Sequence, residues 1–536
     1  MPGRRQFLRF AAASAAVSGL RATAAPAPTQ WHRGDLAHLI PTATQQQFLL
    51  KFSFTRRRRH APRLQIGRRR IVALRNDTAG RFWEVCCDGL APGTTYDLRL
   101  IERDGRPICD WWPLSTLPDQ ARSPRSLRVL TYTCAGGDEA LVQSDGVRIV
   151  LPLAVRRRLL ARALALQPDV LIANGDHIYY DQESMLHNKP PLVIDAWRSL
   201  LDRLGRLQPG LPLLGSANEA LLTTVGDRQI AALYGVSLRS IPSFWVNDDH
   251  DLFENDEATA AGATLPPTSL RLEAAQTLQR LYYPEFLPAG AETPPLPGSF
   301  RDAAGHQRNR AFGSVRIGNL LEVLCYDTKR YAAVDDPAAG MVPASVERWL
   351  TERTLDRSSA QLLHCPSTPI GWTAGKWGEW YPDMLDQAGA LSVSKPKPYW
   401  PAGWWSQHQR LLKALDGQTR RPGAIISGDL HMFSAGSISR SGDLEFANPL
   451  HSIVVGPIGT GDPAFPSTHR GTLPRPPLAM HVAEAVGPVE KNGFTMIEVR
   501  RDSMHFAFHA WRPPQQEEQI DVLEPFARYE IRGGLT

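Results

Sequence analysis

The pattern of apolar positions changes character near residue 120. Before that point it holds short strand-like blocks at 47–54 and 70–75, and no long helical period is present. The segment Gly89-Leu90-Ala91-Pro92-Gly93 is a turn signal. It feeds an alternating strand in which Tyr96, Leu98 and Leu100 fall on one side. The pattern predicts an all-β domain of immunoglobulin or fibronectin type over residues 31–120. A linker rich in proline and polar residues follows at 117–126. Beyond it, 127–134 reads as a buried strand, 153–166 repeats apolar residues at helical spacing, and 169–174 is a second strand. Such strand–helix–strand units predict an α/β layered domain, placed here at 125–515, with a C-terminal tail at 516–536. Further buried strands are expected at 242–246, 320–326, 360–364 and 424–427.

Composition changes this picture little. With 43% hydrophobic and 21% charged residues, the 536-residue chain can bury a full core. Much of the net charge of +6 sits in Arg56-Arg57-Arg58-Arg59 and Arg68-Arg69-Arg70. Such runs are either solvated surface or a contact for anionic polymers or lipid. Six cysteines are too few for a disulfide scaffold of this size, although one pair among Cys86, Cys87 and Cys109 can bridge in an oxidising compartment. The amino terminus is more telling. Arg4 and Arg5 precede Phe7 and Leu8, a short apolar run fills 10–20, and a small-residue stretch ends at Ala27. This reads as a removable signal peptide over 1–28 of the twin-arginine type, which implies the twin-arginine export machinery as a partner and a periplasmic or secreted location. The apolar run is shorter than the roughly 20 residues a membrane span needs, and no later segment qualifies, so no stable membrane span is expected.

The candidate chemistry lies at the strand ends. Cys134 ends the first strand, Asn174-Gly175-Asp176-His177-Ile178-Tyr179 follows the second, and Asn247-Asp248-Asp249-His250-Asp251 follows the third. His364 and Ser427-Gly428-Asp429-Leu430-His431 end two more. Strand ends are where ligands bind in such sheets. A carboxylate can bridge two cations, and a histidine two residues past an aspartate can serve one of them. Two cations about 3.5–4 Å apart clamp a phosphoryl group and activate water. Taken singly, each cluster reads equally well as a turn.

In this order the clusters resemble the metallophosphoesterase superfamily. Cys134 at the first strand, with Tyr179 three residues after Asp176, resembles its PhoD-like (alkaline phosphatase D) branch. Cys325-Tyr326-Asp327-Thr328-Lys329-Arg330-Tyr331 is similar to that branch's Asp-Thr-Arg-x-Tyr segment, and 404–412 is similar to its helix before Gly-Asp-x-His. The resemblance implies a four-layer αββα sandwich, its second sheet ended by 493–499 and 504–511, behind an immunoglobulin-like domain. It also implies an exported, metal-dependent hydrolase of phosphomonoesters and diesters. A phosphodiesterase or phospholipase on the same scaffold is the alternative, and a non-catalytic exported metal-binding protein is a third.

By position, the resemblance assigns Cys134, Asp176, Tyr179 and His431 to a ferric ion. Asp176, Asp249 and Asp429 are assigned to a second cation, with oxygen donors that favour Ca2+, Mg2+ or Mn2+ over Zn2+. His250 is left to face the substrate as a general acid, with Asp251 orienting its ring. Asp327 and Arg330 are candidates to support ligands or substrate, and His364 is either a ligand or a neighbour of one. The substrate is a phosphoester on a small molecule, a lipid headgroup or an anionic polymer. This chain departs from the branch in lacking a tryptophan before Asp248-Asp249-His250 and in carrying Asp251 where glutamate is usual. It also carries insertions at 181–235 and 370–405. The second holds six tryptophans that either pack on themselves or form a lid over substrate.

Overall fold

In a computed structural model of the chain, residues 31–533 are described apart from 183, 188, 260–261, 289–294 and 419–420. The expected signal peptide lies outside the described residues.

The first strand of the α/β region, Ser126–Tyr132, buries Leu127, Val129, Leu130 and Tyr132. It runs parallel to Val170–Asn174, which runs parallel to Ser243–Val246. Parallel neighbours need a crossover connection, and the helix Leu153–Ala165 lies between the first two of these strands in the chain. On its other side Ser126–Tyr132 pairs antiparallel with Asn492–Arg500, and Ser503–Trp511 and Ala527–Arg532 complete a six-stranded sheet.

Two expectations are corrected here. The strands after residue 490 extend the sheet of the first strand rather than a second sheet. The supposed tail is structural: Ala527–Arg532 is an edge strand whose Ile531 is buried, and Ile520 packs with Leu151, Val155, Leu159 and Trp511.

The second large sheet has seven strands, in the order Phe312–Ile317, Leu321–Tyr326, Gln361–Pro366, Gly423–Ser427, Leu444–Val455, Phe433–Ser441 and Met480–Val489. The second to fifth of these are mutually parallel. The helices Ala344–Leu355 and Ala402–Asp416 pack on each other, and the latter packs on Leu444–Val455. Mixed sheets with crossover helices make this an α/β fold.

The leading region is built only of strands in two four-stranded antiparallel sheets, one from Leu36–Ala43, Phe48–Phe54, Phe82–Cys87 and Leu74–Arg75. The other holds Arg69–Val72, Arg63–Ile66, Thr95–Ile101 and Trp112–Ser115. This region is fastened to the rest, and residues 33–536 form one compact unit. Lys51, wholly buried in Phe48–Phe54, lies 2.6 Å from Glu84 and 3.1 Å from Glu285, and donates to the Arg280 carbonyl at 3.0 Å. Cys86, Cys87 and Cys109 are all free thiols, so the expected bridge is not formed. Among the described residues no helix is long and apolar enough to cross a membrane.

Candidate metal centre

The parallel strands deliver their polar residues to one place. Ser126–Tyr132 is followed by Cys134, Val170–Asn174 by Asp176 and Tyr179, Ser243–Val246 by Asp248, Asp249 and His250, and Gly423–Ser427 by Asp429 and His431. Four of these residues sit in left-handed backbone: Cys134 (φ 49°), Asp176 (60°), Asp429 (64°) and His431 (51°). They are four of the seven non-glycine residues at positive φ among those described, so backbone strain is concentrated here. Each costs on the order of 1–3 kcal/mol and persists only where its surroundings enforce it.

Part of that enforcement comes from Asp251. Its carboxylate accepts from the backbone N–H groups of Asp176 (2.9 Å), His177 (2.8 Å), Ile178 (3.0 Å) and Asp248 (3.0 Å). Asp251 therefore ties two loops together and does not orient His250, contrary to expectation. Gly175 is required as well. Its φ is 77°, and a Cβ there would lie 2.6 Å from the Asp248 Cβ.

Cys134 Sγ lies 3.2 Å from Asp176 Oδ2, and the Tyr179 hydroxyl lies 2.8 Å from the same oxygen and 3.3 Å from His431 Nε2. His431 Nδ1 is 2.7 Å from the Ala464 carbonyl. A carbonyl only accepts, so Nδ1 carries the proton and Nε2 presents its lone pair to the cluster. Burial pulls the His431 imidazole down to about 4 and keeps it neutral. Burial also holds the Cys134 thiol and Tyr179 phenol well above their usual values, and pushes Asp176 up to about 7. Acidic donors packed this closely carry protons unless a multivalent cation replaces them. Asp176 Oδ1 has no hydrogen-bond partner, which a ligand would supply. Thiolate, phenolate, carboxylate and imidazole here fit a metal ion.

The second position is different. Ligand atoms of Asp176, Asp248, Asp249 and Asp429 lie within 4.8 Å of one another. Lys376, however, reaches in from the 370–405 insertion. Its Nζ is 2.7 Å from Asp249 Oδ2, 2.9 Å from Asp429 Oδ1 and 2.5 Å from Asp256 Oδ1. Lys329 Nζ is 2.6 Å from Asp256 Oδ2 and 3.8 Å from Asp248 Oδ1. Both oxygens of Asp249 are engaged: Oδ1 accepts from the His250 N–H at 3.0 Å, and Oδ2 accepts from the Asp256 N–H at 2.9 Å as well as from Lys376. Burial would raise its pKa, but Lys376, His250 and Lys329 outweigh that and hold it below the usual carboxylate range. Asp249 Oδ2 and Asp429 Oδ1 thus already hold an ammonium, while Asp429 Oδ2 has no hydrogen-bond partner. Sequence reading missed Lys376 and Asp256, because neither ends a strand at motif spacing.

His250 Nδ1 is 2.9 Å from both oxygens of Asp181, and its ring centroid is 4.1 Å from that of Tyr179. Burial would lower its pKa, but Asp181, Asp176 and Asp249 outweigh burial and raise it to about 10. Asp181, overlooked in the sequence, is the carboxylate that orients this ring.

Three further candidates lie outside the ligand groups. Asp327 accepts from the backbone of Lys329 and Arg330 and from Arg330 Nε at 3.0 Å, which shapes the loop that presents Lys329. His364 pairs with Thr354 Oγ1 (2.9 Å) and the Tyr326 hydroxyl (3.3 Å), and burial pulls it down to about 3. It is neither a ligand nor the neighbour of one. The tryptophans pack on themselves: Trp377 and Trp400 lie 5.4 and 6.2 Å from Trp404, and Trp380 lies 5.6 Å from His408. Trp372 and Trp380 are fully buried, and Trp400 and Trp405 are half-buried.

Beside the centre opens a cleft lined by Cys134, Tyr179, His250, Lys376, Asp429 and His431. Its lining continues over the apolar side chains of Leu141, Ile149, Val150, Met185, Val193 and Trp197.

Among solved structures, that of PhoD aligns with 95% of this chain and 92% of its own length, with a TM-score of 0.58 and 13% sequence identity. The chain has the fold of PhoD. The purple acid phosphatase PPD1 from yellow lupin (Lupinus luteus) seeds aligns over 94% of this chain and 75% of its own, at a TM-score of 0.52 and 11% identity. No protein-family profile matches the sequence, and no curated protein matches it. The likeness to PhoD therefore lies in the fold, which brings the strand ends carrying Cys134, Asp176 and His431 together.

Proposed function

We propose that this chain is a metal-dependent phosphoester hydrolase of the PhoD-like kind. One observation carries the reading: the buried Cys134, Asp176 and Tyr179 and the half-buried His431 converge from three strand ends, three of the four on strained backbone, at the edge of a cleft. A cation held there, when bound, supplies positive charge to phosphoryl oxygens and acidifies water. The chain's own residues do the rest. Asp181 fixes the His250 ring, and the remaining nitrogen, Nε2, is free to give a proton to the departing alkoxide. Lys376 adds positive charge to the cleft wall.

The apolar lining favours a second reading on the same chemistry, in which the ester carries an alkyl chain, as in a phospholipid or another lipid-like diester. A panel of monoesters and diesters, assayed with and without a chelator, tests both readings. Hydrolysis that survives complete metal removal sinks the metal reading. Bound metal without hydrolysis of any ester leaves the metal-binding alternative.

The donor set also supports a ferric ion, since phenolate and thiolate are the donors a highly charged cation ionises. A visible charge-transfer band that Tyr179→Phe leaves untouched would contradict this. Export by the twin-arginine machinery to the periplasm or beyond rests on Arg4 and Arg5. If changing both to lysine leaves processing at the normal rate, that route is wrong.

A further inference from the structure

We propose that Lys376 takes the place of the second metal ion, so that the centre works with one bound cation and one ammonium supplied by the chain itself. The inference rests on the reading of Cys134, Asp176, Tyr179 and His431 as a metal site, and it departs from the two-cation arrangement that the resemblance implies. A lysine ammonium has three N–H donors. Three carboxylates surround this one: it donates to Asp249 at 2.7 Å and Asp429 at 2.9 Å, and Asp256 Oδ1 lies 2.5 Å away as an ion pair without hydrogen-bond geometry. A hard divalent ion needs oxygens at about 2.0–2.6 Å. An ion on the same Asp249 and Asp429 oxygens would press directly against Nζ, and like charges at that separation repel strongly in a buried site.

The position of Lys376 is built. Its side chain is 5% exposed, and its backbone N–H donates to Glu379 Oε2 at 3.1 Å. Glu379 also accepts from the Ala374 N–H at 2.8 Å, and the buried Lys397 donates to the Lys376 carbonyl at 2.8 Å. The loop is thus tied on both sides of the residue. Lys329 adds a second ammonium to the same cluster through Asp256 at 2.6 Å. Two ammonium groups therefore lie against Asp248, Asp249, Asp256 and Asp429 before any metal binds.

The rival arrangement is an ion beside the ammonium on the oxygens of the cluster that have no hydrogen-bond partner, Asp176 Oδ1, Asp256 Oδ1, Asp429 Oδ2 and both oxygens of Asp248. Counting ions separates the two. The full-length protein is dialysed against excess manganese(II) and calcium(II), freed of loose ions, and its total metal of all elements per chain is measured by plasma mass spectrometry. One ion per chain is the expected result, and two ions per chain overturn the proposal while leaving the metal centre intact. No bound metal overturns the underlying metal reading as well. Lys376→Met, which keeps the stem and removes the charge, should raise the count from one to two, whereas Lys376→Arg should hold it at one. A Lys376→Met protein that folds and still binds a single ion shows that the ammonium does not exclude the second, and that too overturns the proposal. Should that variant fail to fold, the wild-type count still decides.

Discussion

Two of the buried charge clusters among the described residues are finished differently. One fastens the leading sheets to the rest of the chain. There Glu84 Oε2 accepts from Lys51 and Asn76 and Oε1 from Arg308, while Glu285 Oε1 accepts from Lys51 and Oε2 from Arg308. Both oxygens of Asp302 are likewise engaged, by the backbone of Ala304 and His306 and by the side chains of His306 and Arg308. The other cluster is the candidate metal centre, where Asp176, Asp256 and Asp429 each leave one oxygen without a hydrogen-bond partner and Asp248 leaves two. Buried polar atoms are nearly always satisfied, so a cluster whose oxygens are all used is a fastening. A cluster that leaves several unused is a place for a ligand. The backbone agrees, since the unfinished cluster lies among the residues at positive φ and the finished one contains none of them.

The sharpest way to break this contrast is Asp176→Ala. It should release the bound metal and lower hydrolysis by several orders of magnitude, because the donor set loses the carboxylate its other members share. Metal analysis and turnover on the same preparation check it. Retained metal with activity within about tenfold of wild type would mean that the unpaired oxygens mark nothing.

Next in size is His250→Ala, which should keep the metal and lose about 10²–10⁴-fold on alkyl phosphates. On nitrophenyl esters, whose leaving group needs no proton, it should lose little. Equal losses on both would remove His250 as the acid. Asp181→Asn should shift the same ratio in the same direction by less, whereas Asp251→Asn should instead loosen the metal by freeing the two loops it ties.

The finished cluster should answer only in stability. Lys51→Met removes one partner from a buried network and should cost about 3–5 kcal/mol in unfolding free energy with metal content unchanged. Denaturant unfolding alongside metal analysis tests it, and loss of metal at normal stability would reverse the assignment of the two clusters. The smallest effect is the acid dependence of that stability. Burial would raise the Glu84 pKa, but Lys51 and Arg308 outweigh it and hold it below its usual 4.5. A depressed folded pKa gives stability that is present above the unfolded value and lost as pH falls through the folded one. Acid should therefore weaken the wild type below about pH 4.5, and Lys51→Met should flatten that slope.

Much of this architecture is legible in the order of residues. The helix expected at 153–166 is found at Leu153–Ala165, and the strands before Cys134, Asp176, Asp249 and Asp429 lie where short apolar blocks end in glycine or acid. Those signals are local, so periodicity and turn chemistry reveal them. Lys376, Asp181 and Asp256 are not legible in the same way. Each lies in a loop or insertion, and only the packing of distant elements decides that it reaches the centre. The edge strand Ala527–Arg532 shows why such misses recur. Only Ile531 is fully buried, while alternate positions stay exposed, and a weak alternation at a chain end reads as tail.

The wide spacing of the donors along the chain also sets a schedule. Tyr179 and His431, whose side chains touch, are 252 residues apart in sequence, and Cys134 is farther still from its contact at Asp429. Contacts between such remote segments form late, because the intervening chain must order first. His431 in particular follows Gly423–Ser427, a strand in the interior of the seven-stranded sheet with neighbours on both sides. A growing chain that has reached residue 420 carries three of the four donors and none of the strand that aligns the fourth. Metal uptake is therefore a completion signal, available only to a molecule whose second sheet has closed.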